Sequence, residues 1–249
     1  MTQQTRRTSF GLGLITTLAL ATLAVAGFAG QAGAADERFE VTSIKSVKPT
    51  LLATADAVKK GDVAKAKEAF EDYDSAWNGI EVYINVRSKP MYDKIELDLQ
   101  ARITKALDAQ SPDLAKIGAD LQEMIGKYDE AIALASGGAP LSPLYDDVAR
   151  LRIVRSHLRE VTPALKAGNL AKARKSYEEF DNNWDSIEDL IKARSADAYV
   201  AIEKGMIQIE QALMPEKPDV AQVTTLVAGV TKQYNDTLAV IVKEARGQK

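Results

Sequence analysis

The chain has no cysteine and a single histidine, His157, in 249 residues. The first absence excludes disulfides, thiolate metal sites, covalent haem attachment and cysteine nucleophiles. The second excludes zinc, copper or non-haem iron sites built on several imidazoles. A Ser-His-Asp triad would have to use His157, and no G-x-S-x-G stands anywhere in the chain. Nothing pairs a nucleophile with a base, so no enzyme is expected. There is no basic excess either. With Lys+Arg 32 against Asp+Glu 35, the chain lacks the basic face that phosphate binding needs, so nucleic acid is not an expected partner. Long apolar runs are absent beyond the N-terminus, so no membrane span is expected in the mature form.

The one long apolar run, at 10–28, belongs to an export layout. Arg6 and Arg7 precede it, and Gln31-Ala32-Gly33-Ala34 follows as a small-residue cleavage site. Residues 1–34 therefore read as a signal peptide, which places the mature protein in the periplasm. The Arg-Arg pair resembles a twin-arginine signal, but Phe10 sits one place late for it, which favours the general secretory route. The rival reading is an uncleaved N-terminal anchor, which the length of the run allows. Removing 1–34 takes away two arginines and no acid, leaving Lys+Arg 30 against Asp+Glu 35, a net charge of −5. The remaining 215 residues must hold themselves together by their core alone.

What is present is a duplication. Gly61, Lys65, Asp74, Trp77, Ile80, Glu81, Ile84, Arg87, Ser88, Tyr92, Ile95 and Glu96 recur 107 residues later as Gly168, Lys172, Asp181, Trp184, Ile187, Glu188, Ile191, Arg194, Ser195, Tyr199, Ile202 and Glu203. Between 57–96 and 164–203, 17 of 40 positions are identical without a gap. Farther on, Tyr128 pairs with Tyr234 at an offset one shorter. The expected organisation is a helical repeat at 35–135, a Gly- and Pro-rich linker at 136–149 and a second repeat at 150–249. The Gly-Asp-x-x-Lys-Ala stretch resembles the turn of a tetratricopeptide repeat, but nothing recurs at that family's short period.

Within each copy the apolar period is helical, and no sustained period of two predicts a strand. Ala66, Phe70, Tyr73, Trp77, Ile80 and Ile84 share one stripe, which predicts a helix of about 25 residues. A shorter helix before it ends at Gly61, with Asp62 capping the next. Ile95 to Leu107 and Leu114 to Tyr128 give two more, the last opened by Ser111-Pro112-Asp113. The expected fold is all-α: a tandem duplicated helical bundle with four helices per copy.

The repeated string Asp-x2-Trp-x2-Ile-Glu-x2-Ile-x2-Arg-Ser-x3-Tyr-x2-Ile-Glu is partly core and partly acid. Trp77, Ile80, Ile84 and Ile95 read as core. Ser88 and Ser195 read as N-caps after a break, with Arg87 and Arg194 pairing a carboxylate or covering a helix end. Asp74 and Glu81 lie on the edge of the apolar stripe. If the chain reverses near Ser88, Glu81 and Glu96 return to the same height with Tyr92 beside them. If it runs straight, they stand roughly 22 Å apart. Facing carboxylates need a cation, a proton or an arginine between them, and carboxylate and phenol oxygens suit hard cations, ferric iron included. The candidate metal ligands are therefore Asp74, Glu81, Tyr92 and Glu96, with Asp181, Glu188, Tyr199 and Glu203 in the second copy. A structural Arg–Glu network is the competing reading.

This string, with Ala193-Arg194-Ser195-Ala196-Asp197-Ala198-Tyr199 leading to Ile202-Glu203, resembles the periplasmic helical region of bacterial iron permeases of the FTR1 type, over about half of each copy. The chain departs from those permeases in lacking Arg-Glu-x-x-Glu, since Arg159-Glu160 is followed by Val161-Thr162-Pro163. The resemblance implies a free-standing relative of the soluble part: an accessory of iron uptake, with iron as its ion and an inner-membrane iron permease as partner. A more distant likeness is to imelysin-type iron-uptake proteins. Their His-x-x-Glu motif occurs only once here, at His157 and Glu160, outside the repeated string. The alternative function is a non-catalytic helical scaffold that binds another envelope protein.

Overall fold

The computed structural model describes residues 37–248, all of its regular structure helical. The expected signal peptide lies outside the described residues. Residues 37–249 cluster as one unit, and among the described residues no helix is long and apolar enough to cross a membrane.

The first half opens with α1 (Phe39–Lys59), α2 (Val63–Trp77) and α3 (Glu81–Arg87). A rod then runs from Ser88 through α4 (Lys89–Asp93), a π-helical stretch (Lys94–Gln100) and α5 (Ala101–Leu107), and α6 (Leu114–Gly137) closes the half. The second half follows the same plan: α7 (Leu144–Lys166), α8 (Leu170–Trp184), the short α9 (Glu188–Lys192), α10 (Ala196–Leu213) and α11 (Val220–Ala245). Four principal rods per half match the expectation, with one short helix added in each. The segment 136–149 holds the end of α6 and the start of α7, so non-helical chain is confined to 138–143.

Both halves begin with the same helix–turn–helix, built the same way. Gly61 and Gly168 stand at φ +77° and +73°, the left-handed region where a side chain is strained. Each turn closes with the paired bonds of a Schellman motif: Gly61 N–H to Val58 and Asp62 N–H to Ala57, both 3.0 Å, and Gly168 N–H to Leu165 and Asn169 N–H to Ala164, both 2.9 Å. Asp62 and Asn169 then cap α2 and α8 through the amides of Lys65 and Lys172, each at 3.0 Å.

One continuous core runs through both halves. In each, a fully buried tyrosine anchors the last helix to the first: Tyr128 donates to the Ile44 carbonyl and Tyr234 to that of Leu151, both at 2.7 Å. Burying a large aromatic contributes about 2–3 kcal/mol, and the hydroxyl bond keeps the polar tip satisfied. The halves meet where α2 and α3 pack on α7.

Two departures from the predicted helices shape the rest. The single helix expected through Ala66–Ile84 is broken at 78–80. The Asn78 side chain donates to the Asp74 carbonyl at 2.8 Å, and Ile80 N–H bonds Trp77 in a tighter turn at 2.9 Å. Gly79 sits so close to α7 that a Cβ there would lie 2.5 Å from the Ile153 side chain. The same turn recurs at 185–187, where Ile187 N–H bonds Trp184 at 2.9 Å, so local hydrogen bonding shared by both halves overrides the helical periodicity. The second departure is the π-helical stretch. Ser88 to Leu107 spans one residue more than Ser195 to Leu213, and α10 is regular where the first half is π-helical. A π-bulge absorbs one extra residue within a helix, and such bulges recur at functional sites.

Candidate metal centre

The breaks decide where the acids go. The turn at 78–80 restarts the chain at Glu81, which enters the first turn of α3 buried at 7% exposure rather than at a stripe edge. The second break, at Ser88, is extended (φ −154°, ψ 97°), and its hydroxyl accepts from Met91 N–H at 3.2 Å. Ser195 caps α10 in the same way, at 3.1 Å. The chain therefore folds back on itself at Ser88, and α3 packs against α4.

This fold-back brings the first-half candidates together. Tyr92 lies against Glu81, and its hydroxyl is pushed up to about 12 by burial and by the charges of Glu81 and Glu96. Glu96, half-buried, is pushed up to about 7, first by burial, then by Glu81 and more weakly by Asp74. The Trp77 indole N–H and the Arg159 charge work against that shift. Asp74 is raised too, by burial and by the charges of Glu160 and Glu81, although the Gln100 amide bonded to it pulls the other way. Two carboxyls with raised pKa values beside a third carboxylate form a site with more negative charge than it can hold ionised.

Three arginines of α7 face this cluster. Arg152 donates to Glu81 across the junction between the halves. Arg155 is held below the usual guanidinium range by burial and by its neighbours Arg152 and Arg159, and it donates to the Asn235 side chain at 2.8 Å. Glu81 therefore already has its cation. Glu96 does not: one of its oxygens is buried without a partner, as are the Tyr73 hydroxyl, the Trp77 indole nitrogen and the Gln100 amide oxygen. The Trp77 N–H favours the charged form of Glu96 without closing a full hydrogen bond.

The second-half candidates are gathered more loosely. Tyr199 lies against Glu188, and both are raised by burial and by neighbouring carboxylates. Glu203 accepts a hydrogen bond from the Trp184 indole. Asp181 is half-exposed on α8. Two pairings thus recur, Trp77–Glu96 with Trp184–Glu203 and Tyr92–Glu81 with Tyr199–Glu188. Among the described residues, no three Asp, Glu or His side chains are arranged to hold a metal ion by themselves. Any cation would draw on other oxygens as well.

No protein-family model matches this chain, and no curated protein is detectably similar to it.

The repeated arginines take separate tasks. Arg87 reaches the fully buried Glu40 at 2.8 Å and the Ala139 carbonyl at 2.9 Å, and Arg194 pairs with Glu244 at 3.1 Å. His157 contacts Glu179 at 3.2 Å, beside a groove of about 730 Å³ between α2 and α7–α8. Sequence reasoning missed Arg152, Gln100 and Glu40. Arg152 and Glu40 lie outside the repeated string, whereas Gln100 had a signal in the offset that shortens by one between Glu96 and Tyr128.

Proposed function

We propose that this is an exported, non-enzymatic protein of the periplasm that binds a hard cation through its first-half carboxylates and serves as an accessory of iron uptake, handing the ion to an inner-membrane iron permease. The observation that carries this reading is Glu96: a half-buried carboxyl with an unpartnered buried oxygen, whose pKa is pushed up to about 7 by burial and by the charges of Glu81 and Asp74. The oxygen-only donor set suits iron or another hard ion. The resemblance of the repeated string to the soluble region of iron permeases supports iron in particular. Calorimetry on the mature protein with ferrous and ferric ions tests it. Binding that weakens in Glu96→Gln is expected, and no uptake of either ion by the wild type refutes it.

A second reading has its own observation. Arg152 neutralises Glu81 from within the fold, as a structural network would. On that reading the chain is a helical scaffold for another envelope protein. Metal content of the protein isolated from its own compartment separates the two, since a scaffold carries no stoichiometric ion.

A further inference from the structure

We infer that the chain holds one cation site, not two: the seam between α2 and the π-helical stretch, joined by the Gln100–Asp74 bond, where Asp74, Glu96, Gln100 and Tyr73 supply the oxygens for a divalent ion. The inference deepens the cation reading above and rests on it.

The first support is what lies buried there without a partner. Tyr73 is fully buried, and its hydroxyl bonds nothing, yet it feels the charges of both Glu96 and Asp74. Gln100 is 6% exposed; its amide nitrogen is committed to Asp74, and its amide oxygen is free. One Glu96 oxygen is free as well. Leaving such a group unmade is costly, and three of them lie on the facing segments that the Gln100–Asp74 bond joins, which points to a ligand. The Trp77 N–H faces Glu96 and holds that carboxyl in place without filling the site.

The second support is independent and lies in the comparison of the halves. The extra residue of the Ser88–Leu107 rod falls between Glu96 and Ile103, since Leu99 aligns with Met206 at offset 107 and Ile103 with Ile209 at 106. The π-helical stretch absorbs it and ends at Gln100. The second half has no such residue. It has Phe180 where the first has Tyr73, and Met206, an apolar core residue, on the buried face. Its Glu203 is already satisfied by Trp184. The Tyr73 hydroxyl has thus lost its counterpart to Phe180, and the carboxylate and indole that stand unpartnered as Glu96 and Trp77 are bonded to each other as Glu203 and Trp184.

Charge sets the class of ion. Arg152 pairs with Glu81, and the neighbouring charges of Glu160 on Asp74 and Arg159 on Glu96 are opposite in sign, so the set presents Asp74 and Glu96 as its two negative charges, with neutral oxygens from Gln100 and Tyr73. A divalent cation balances this set.

The test is anaerobic calorimetric titration of the mature protein with ferrous ion, on the wild type, Glu96→Gln, Gln100→Leu, a deletion of Gln100, and Glu203→Gln. One ion per chain is expected. Glu203→Gln should match the wild type, and Glu96→Gln and Gln100→Leu should each bind at least about tenfold more weakly. The deletion should keep its helical circular dichroism and lose binding. Gln100→Leu keeps the chain length, so it decides the matter should the deletion unfold. Two ions per chain, or equal losses in Glu96→Gln and Glu203→Gln, overturn the single site while leaving cation binding intact. Absence of binding in the wild type removes the proposed function itself.

Discussion

Replacing Glu96 by Gln should stabilise this protein at alkaline pH and leave it unchanged at acid pH. Glu96 has a folded-state pKa of about 7 against an ordinary value of 4.5. Below about pH 4.5 the carboxyl is protonated in both states and costs the fold nothing. As pH rises toward 7 the unfolded chain ionises freely while the folded protein holds its proton, so stability falls, and above 7 the full cost is present. At 1.36 kcal/mol per pH unit the cost is at most about 3 kcal/mol. The carboxyl is only half-buried and keeps part of its water, which lowers the figure to about 2 kcal/mol. Glutamine has the same shape and never ionises. For a chain of this size 1 kcal/mol moves Tm by about 2–4 °C, so Glu96→Gln should melt about 4–8 °C higher at pH 8.5 and coincide with the wild type at pH 4.5. Urea denaturation across that range, without added metal, reads it directly. A variant less stable than wild type at pH 8.5, or equally displaced at both ends, would refute the crowding of carboxylates on which the site is built.

Three further outcomes follow from other contacts. Arg152→Ala strips the partner from Glu81, which is 7% exposed, and should cost about 3–5 kcal/mol in urea denaturation, whereas Arg152→Met with Glu81→Leu should recover most of the loss. Arg87→Leu removes the nearer of two guanidinium partners from the fully buried Glu40, 2.8 Å against 3.7 Å for Arg38, and leaves the Leu141 N–H in place, so a smaller loss of about 1–3 kcal/mol is expected by the same assay. Gly61→Ala and Gly168→Ala each place a side chain at positive φ and should cost about 1 kcal/mol apiece; the two losses should add in the double variant, since the turns share no partner.

The all-α class, the Gly61 and Gly168 turns, the Asp62 cap and the breaks at Ser88 and Ser195 were legible in the sequence because each is a local signal: a period, a glycine, a capping side chain. The break at 78–80 was not. Trp77, Ile80 and Ile84 keep a helical spacing across it, as Trp184, Ile187 and Ile191 do across the matching break at 185–187, so the period gives no sign of either turn. The gathering of Asp74, Glu81, Tyr92 and Glu96 was legible as a conditional statement, true if the chain reverses at Ser88. Arg152 was not legible, because its partner lies 71 residues away in the other half and no repeat marks it.

The two halves also reverse a natural assumption about repeated residues. Positions kept in both copies invite a functional reading, yet here they largely perform paired structural tasks: Trp77 and Trp184 hold Glu96 and Glu203, Tyr92 and Tyr199 lie against Glu81 and Glu188, and Ser88 and Ser195 cap the returning helix. These contacts fix where a carboxylate stands and leave its chemistry open. What differs between the halves is Tyr73 against Phe180, the three residues Gln100-Ala101-Arg102 against the exposed pair Ile207-Gln208, and Arg152 against Lys45 at the equivalent place in α1. Repetition supplies a frame that presents an acid at the bundle rim twice. On the single site proposed above, one extra residue in one rod, taken up by the π-helical stretch, turns one of those two acids into a binding group and leaves the other as scaffold.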